Sequence, residues 1–193
     1  MNKVIIEKYL KYELVTYRRT KYMRKWIDEN MFCLRPVNKD DFFILEVWLN
    51  KKYIKKWYGE PQEWLTEIRN DNGDFGWLSH YIVTYENTPV GFCQYYNCSQ
   101  TPEGFEWDNE PPGTFAIDYL IGEEVFLKKG MGSMIVQQLC QLIISLEEPV
   151  QIVADPVPEN TDSIKLLERN GFILDMATGL YKLEIADSSL ASV

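Results

Sequence analysis

The sequence has few of the residues that build metal centres and disulfide frameworks. Its 193 residues include a single histidine, His80, and four cysteines. The cysteines form no CxxC pair and lack the spacing of a zinc site, and one imidazole excludes a multi-histidine metal site. A Ser-His-Asp or Cys-His nucleophile would have to be built around His80 alone. We therefore expect reduced cysteines and no metal.

Basic charge and long apolar runs are also scarce. The chain carries 20 Lys and Arg against 29 Asp and Glu, a formal net charge of −9. This balance argues against a general nucleic-acid binder, which needs positive charge to neutralise phosphates, but it is compatible with a cationic partner. The sequence contains no run of about 18 apolar residues, so it predicts no membrane-spanning helix. Residues 1–26 lack a secretory signal. We expect a cytoplasmic protein without membrane or nucleic-acid partners.

Composition divides the chain into three parts. Residues 1–30 contain eight Lys or Arg, four Asp or Glu, and no glycine or proline. We interpret them as a helical N-terminal extension, which forms a partner or homodimer surface or packs on its own domain; we favour the second alternative. Residues 31–185 have the pattern of one compact α/β domain, and residues 186–193 form a C-terminal tail.

The spacing of apolar residues predicts the secondary structure of the central part. The predicted strands are 31–36, 80–85, 90–97, 114–121, 150–155 and 180–185, and the predicted helices begin after Asn38 and cover 61–70, 131–146 and 160–170. The strand 114–121, the helix 131–146 and the strand 150–155 form a βαβ unit, whose strands should be parallel.

A glycine loop precedes the helix of this βαβ unit. It reads Lys128-Lys129-Gly130-Met131-Gly132-Ser133. Glycines allow successive backbone N–H groups to converge, the helix N-terminus adds a positive dipole, and the lysines add charge. The combination suits a phosphate or pyrophosphate, although neither the Walker nor the dinucleotide fingerprint is present. A plain tight turn with solvated lysines would give the same pattern.

A second motif follows 30 residues after Gly130, where Asn160–Phe172 reads NTDSIKLLERNGF. The order of strand, glycine loop, helix, strand and N-xx-S-xxxx-E-xx-GF helix resembles the GCN5-related N-acetyltransferase superfamily over about residues 31–185. In that family the glycine loop holds the pyrophosphate of acetyl-CoA, and the preceding strand binds the pantetheine arm through its backbone.

The resemblance implies a fold, a co-substrate and a set of binding residues. The fold is α/β (α+β), with a mixed, mostly antiparallel twisted sheet, a central parallel βαβ unit and flanking helices. The co-substrate is acetyl-CoA, without a metal. The implied cofactor-binding residues are Leu120, Ile121, Lys128, Lys129, Gly130, Met131, Gly132, Ser133, Asn160 and Ser163.

Further motifs resemble the aminoglycoside 6′-N-acetyltransferases within this superfamily. They include Trp57-Tyr58-Gly59, Ile117-Asp118 and the segment DPVPEN at 155–160. The resemblance implies transfer of an acetyl group to an amine of an aminoglycoside-like polycation, and hence antibiotic resistance. The alternatives are another small amine (a siderophore precursor or a hydroxylated amine), a protein amine, or a non-catalytic acyl-CoA-binding module.

Two carboxylates are candidates for handling a cationic amine. Asp118 stands among apolar residues in mid-strand, where a carboxylate is costly unless it is paired or functional, and Asp155 ends the next parallel strand. We expect Asp118 to take the proton of the amine, and Asp118 and Asp155 to bind the substrate. Trp57 and Tyr96 are expected to wall the sugar site. The alternatives are backbone bonding for Asp118, a turn cap for Asp155 and ordinary packing for the aromatic rings.

Two positions depart from the superfamily pattern. Leu127 occupies the first position of the usual (Q/R)xxGxG loop, and Leu167 stands where many members have a tyrosine that protonates the departing thiolate. Either another group, such as Tyr119 or Tyr181, protonates the thiolate here, or the thiolate leaves without help.

Overall fold

The structure of the protein is a computed structural model that describes residues 31–70, 73–102, 104, 107 and 109–185. The predicted extension 1–30 and the predicted tail 186–193 lie outside the described residues.

A seven-stranded sheet forms the centre of the described part of the chain. Its strands are β1 (Phe32–Pro36), β2 (Leu78–Tyr85), β3 (Thr88–Asn97), β4 (Thr114–Ile121), β5 (Gln151–Ala154), β6 (Ile173–Leu174) and β7 (Tyr181–Glu184). They lie in the order β1-β2-β3-β4-β5-β7-β6, and every neighbouring pair is antiparallel except β4 and β5. The expected mixed, mostly antiparallel sheet with a central parallel pair is confirmed.

Five α-helices flank the sheet in the same described residues. They are α1 (Phe42–Leu49), α2 (Lys52–Tyr58), α3 (Pro61–Arg69), α4 (Met131–Glu147) and α5 (Thr161–Arg169). The sequence predicted all of them except α2, whose seven residues bury only Ile54 and therefore give no apolar period. Before α1, the Asn38 side chain accepts a hydrogen bond from the Asp40 N–H and caps a short 3₁₀ turn, which confirms the predicted helix start.

The β2–β3 hairpin has a tighter turn than the sequence suggested. We expected a turn over residues 86–89, but the strands continue to Tyr85 and Thr88. Glu86 and Asn87 both have positive φ angles, 49° and 62°. Two such residues form the turn whose twist matches that of a hairpin.

The helices cover opposite faces of the sheet. On one face α4 packs on β3 and β4 in an apolar cluster that also includes Leu167 of α5. On the other face, which we call the α1–α3 face, a second cluster joins Leu45 and Trp48 of α1 to Phe92 and Leu120. Alternation of side chains along β4 therefore points Asp118 to the α1–α3 face and Tyr119 to the α4 face.

Three rows of cross-strand neighbours cross β2, β3 and β4 on the α1–α3 face. The first row is Ile82, Phe92 and Leu120, the second is His80, Gln94 and Asp118, and the third is Leu78, Tyr96 and Ala116. The outer rows belong to separate apolar clusters, and the middle row is polar. We call the middle row the polar row. It ends at Asp118, just beyond the last residue of β4 that pairs with β5.

Candidate functional site

The strands β4 and β5 part after a short paired stretch. Thr114–Ala116 pair with Gln151–Val153, whereas Ile117–Ile121 have no β5 partner in the register. The peptide carbonyl of Tyr119 accepts a hydrogen bond from the Tyr58 hydroxyl on α2. The carbonyl of Ile121 accepts one from the Tyr53 hydroxyl at 2.9 Å. The second half of β4 thus lines an opening in the sheet, with helix α2 beside it.

Asp118 lies half-buried at this opening, at the end of the polar row. The side-chain amide of Gln94, itself only 2% exposed, donates a hydrogen bond to Asp118 Oδ2 at 2.9 Å. Burial raises the pKa of Asp118 to about 6; the bond from Gln94 opposes the rise, and the charge of Asp155 adds to it. A carboxyl group that titrates close to neutral pH is suited to accept a proton during a reaction.

Glu67 on α3 adds a third carboxyl group to the site. It is half-buried, and burial raises its pKa to about 7, with further contributions from the charges of Asp118 and Glu63. Asp118 also feels the charge of the exposed Asp155, which follows β5. Since each like charge disfavours ionisation of the others, a bound cation would relieve the repulsion.

The aromatic residues predicted to contact a substrate differ in their surroundings. Trp57 is half-buried on α2, and the Lys56 ammonium lies 3.9 Å from the centre of its ring. Tyr96 is only 8% exposed and packs edge-on against Trp77 and Trp107, with ring centres 5.2 and 6.0 Å apart. Tyr96 thus packs beside the polar row, and its contact with a substrate stays a prediction.

The glycine loop leads into α4 through an uncapped helix start. Gly130 is the N-cap, with φ of +91°, and among the residues that the structure describes no side chain caps the helix start. Lys128 also has a positive φ, +58°. A Cβ atom on Gly132 would lie 2.4 Å from Leu166 Cδ1. Gly130 is therefore favoured by its backbone angle, whereas a side chain at Gly132 would make the end of the Leu166 side chain move.

Polar side chains connect α5 to β4 and to α4 beside this loop. Asn160 Oδ1 accepts a hydrogen bond from the Ser163 N–H at 3.3 Å, and the Ser163 hydroxyl lies 2.7 Å from the Tyr119 hydroxyl. The Ser133 hydroxyl donates to Asn170 Oδ1 at 3.1 Å. The Tyr119–Ser163 contact holds the start of α5 beside the open half of β4, and the Ser133–Asn170 bond holds the end of α5 beside the start of α4.

Three residues at the site were not predicted from the sequence. Gln94 carries a detectable signal, because it interrupts an apolar and aromatic strand just as Asp118 does. Glu67 carries none, since a glutamate on an amphipathic helix is usually a solvated surface residue. Tyr58 was expected only as part of a motif and as one of several rings that could wall a sugar site, and its hydrogen bond to the β4 backbone depends on the unpredicted helix α2.

The described residues contain neither a cluster of metal ligands nor a membrane-spanning helix. Within them, no group of three or more His, Cys, Asp or Glu could hold a metal ion. The same part of the chain contains no helix that is both long and apolar enough to cross a membrane.

Comparisons with known proteins agree on one family. Residues 38–178 match the family described as acetyltransferase (GNAT) domain. The aminoglycoside N(6′)-acetyltransferase type 1 of Klebsiella pneumoniae is 28% identical over 163 residues, 79% of each chain. Among solved structures, aminoglycoside acetyltransferase AAC(6′)-Ib with coenzyme A has a TM-score of 0.69 and 26% identity, covering 79% of this chain and 94% of that one. The same enzyme with coenzyme A and kanamycin has a TM-score of 0.68 and 25% identity, with 79% and 94% covered.

Proposed function

Because the chain belongs to the acetyltransferase (GNAT) domain family, we propose that it transfers the acetyl group of acetyl-CoA to an amine, the 6′-amine of an aminoglycoside. The observation that carries this proposal is the position of Asp118. Its carboxyl group, with a pKa raised to about 6, stands where β4 and β5 part and interacts electrostatically with two further carboxyl groups, Asp155 and Glu67.

The cofactor side of the proposed site is built from backbone N–H groups and positive charge. The first N–H groups of α4, at Met131–Ser133, and the side chains of Lys128 and Lys129 would hold the pyrophosphate of acetyl-CoA. Asn160 and Ser163 at the start of α5 would contact the pantetheine arm. When bound, acetyl-CoA supplies the activated thioester.

The backbone edge of β4 would bind the pantetheine arm and polarise the acetyl carbonyl. The Gly122 N–H donates to the Val90 carbonyl of β3 at 2.8 Å, and N–H groups of alternate residues point the same way in a strand. The N–H of Leu120 therefore faces β3, whereas those of Tyr119 and Ile121 face the opening. We assign these backbone contacts to Tyr119 and Ile121 in place of Leu120.

The acceptor side is built from carboxyl groups. A primary amine resembles the lysine side chain, whose pKa is about 10.4, so it arrives as an ammonium ion and is attracted to Glu67, Asp118 and Asp155. Trp57 and Tyr96 would line the sugar. Asp118 takes the proton of the attacking amine, directly or through water, and the Gln94 amide holds its carboxylate in place.

The test of this proposal is thiol release. Purified protein with acetyl-CoA and kanamycin or tobramycin should release free CoA thiol, and mass spectrometry should place one acetyl group on the 6′-amine. CoA binding without thiol release from any aminoglycoside would contradict the proposal. Release with a hydroxylated amine or a protein amine alone would move the acceptor to that class.

Two further expectations stay predictions. A homodimer would be detected by sedimentation or light scattering of the full chain, and a cytoplasmic location by fractionation of the producing cells.

A further inference from the structure

Tyr119 occupies a special position on the open half of β4. Its backbone lies beyond the last residue paired with β5, and its carbonyl is held by the Tyr58 hydroxyl. Its side chain points away from Asp118, to the opposite face of the sheet. One residue therefore contributes a backbone edge to the opening and a phenol to the side where α5 begins.

The phenol of Tyr119 is fixed by one hydroxyl partner. Its oxygen lies 2.7 Å from Ser163 Oγ, and the backbone N–H of Ser163 is in turn bonded to Asn160 Oδ1 at 3.3 Å. Either hydroxyl can be the donor. When the Ser163 hydroxyl donates to the Tyr119 oxygen, the phenol O–H of Tyr119 is available to donate a hydrogen bond to a group bound in the opening.

The other two residues considered for contact with the departing thiolate, Leu167 and Tyr181, are less suitable than Tyr119. Leu167 lies one helical turn after Ser163, is fully buried in the core and has no polar atom in its side chain. Tyr181 lies on β7, where it pairs with Ala154 of β5 and Leu174 of β6. Strand β5 therefore separates Tyr181 from β4. Tyr119 is the phenol on the strand that the thioester would follow.

We propose that the Tyr119 hydroxyl donates a hydrogen bond to the sulfur of CoA as the thioester breaks, an assignment that rests on the proposed function. The ammonium ion first loses one proton to Asp118, which passes it to water, and the neutral nitrogen then attacks the carbonyl carbon. The C–N bond forms, the C–S bond breaks with its electron pair going to sulfur, and the nitrogen loses its second proton to water by the same route. The thiolate leaves stabilised by Tyr119 and takes its own proton from water.

Because burial raises the pKa of Tyr119, its hydroxyl donates a hydrogen bond but does not give up its proton. Desolvation raises the pKa of Tyr119 to about 12, the bond to Ser163 opposes the rise, and the charge of Asp118 adds to it. A thiol has a pKa near 8.5, so a thiolate is too weak a base to remove the phenol proton. Proton transfer from Tyr119 to sulfur is therefore unfavourable, and the sequence-based suggestion that Tyr119 protonates the thiolate changes to hydrogen-bond donation.

The first test needs no acceptor substrate. CoA bound to the protein is titrated by the ultraviolet absorbance of its thiolate, for the wild-type protein and for Tyr119→Phe. A hydrogen bond to a charged group favours the charged form, so we expect the pKa of bound CoA thiol to be at least about one unit lower in the wild-type protein. Equal pKa values in the two proteins would overturn the assignment. Because no amine takes part, this result stands apart from the question of the acceptor.

The second test uses turnover with an aminoglycoside that the wild-type protein acetylates. Tyr119→Phe should lower kcat about 10–100-fold and leave KM for acetyl-CoA within about threefold, because the bond forms as charge develops on sulfur. Ser163→Ala, which frees the phenol from its partner, should cause a smaller loss. Tyr181→Phe is the matched control and should retain kcat. An unchanged kcat in Tyr119→Phe, or a loss confined to Tyr181→Phe, would overturn the assignment.

Discussion

The side-chain amide of Gln94 donates a hydrogen bond to Asp118 Oδ2 at 2.9 Å, across two antiparallel strands whose registers place these residues directly opposite each other. Both side chains belong to a polar row with apolar rows on either side. A carboxyl group in such a position keeps a fixed orientation, because its neighbours along the strand are packed and its partner is almost fully buried. The bond also lowers the pKa of Asp118 against the effect of burial.

Removing this bond should change the pH dependence of the reaction. In Gln94→Leu the pKa of Asp118 should rise further, so the acidic limb of kcat/KM should move to higher pH and the rate at pH 7 should fall about tenfold. Stopped-time thiol release between pH 5 and 9 measures both. The control is Gln62→Leu, at an exposed position of α3, which should behave as wild type. An acidic limb that stays in place in Gln94→Leu would refute the coupling.

The wild-type profile itself should report the two raised carboxyl groups. Asp118 and Glu67 have pKa values near 6 and 7, so kcat/KM should rise as pH increases through this interval and both groups ionise. Asp118→Asn should lower kcat/KM about 10²–10⁴-fold and remove the limb near pH 6. Asp74→Asn, in an exposed turn, should leave the profile unchanged. Full activity of Asp118→Asn would exclude Asp118 as the base.

The same variant should be more stable than the wild-type protein at high pH. The folded state raises the pKa of Asp118 from its ordinary value to about 6, so ionisation of Asp118 above that pH costs the folded state about 3 kcal/mol, a cost that Asn avoids. Below about pH 3, under the pKa of both the folded and the unfolded state, the carboxyl group is protonated in both, and the difference in Tm should vanish. Asp175→Asn should lower Tm at neutral pH, because the pKa of Asp175 is held at about 2 by Lys182. A lower Tm for Asp118→Asn at pH 8 would contradict this account.

The two glycines of the loop should respond differently to alanine. Gly132→Ala places a methyl group 2.4 Å from Leu166 Cδ1, at the end of a flexible side chain that can shift, and should destabilise the fold by about 1 kcal/mol through overpacking. Leu166→Ala should recover part of this loss in the double variant. Gly130→Ala has open space around its Cβ but a φ of +91°, so its cost of about 1 kcal/mol should persist in the Leu166→Ala background. Denaturant unfolding of the wild-type protein, the single variants and the double variants gives the free energies of unfolding. If Leu166→Ala changed the cost of both glycine substitutions equally, the prediction would be wrong.

The buried ion pair at the far end of the sheet should matter more than a surface pair. The Lys182 ammonium donates to Glu110 Oε1 at 2.6 Å, and the Glu110 side chain is only 2% exposed. Lys182→Met leaves this charge buried without its main partner and should cost about 3–5 kcal/mol. Lys55→Met removes an exposed pair with Glu60 and should cost about 1 kcal/mol or less. The urea midpoints of Lys182→Met and Lys55→Met measure the two losses of stability. Losses of similar size would show that burial of the ion pair does not determine its contribution.

Local patterns were sufficient for most of the fold. The apolar period of residues 131–146 predicted α4, and the β-rich run at 114–121 predicted β4, because amphipathic spacing follows directly from which face an element buries. The motif around Gly130 and Asn160, and the mid-strand position of Asp118, predicted where a site would form. These features are properties of short segments, so they can be recognised in a single sequence.

Other features depended on register and on packing between distant segments, which short-range patterns do not determine. The pairing of β3 with β4 brings Gln94 to Asp118, and the packing of α3 on the sheet brings Glu67 close enough to feel the charge of Asp118. The departure of β5 from β4 leaves Tyr119 on an open strand beside Ser163, 44 residues away in the chain. The sequence alone determined which elements form and which carboxylate is costly to bury. Only the tertiary structure decided which side chains raise or lower the pKa of that carboxylate. Burial and electrostatic coupling depend on distances between residues that are remote in sequence.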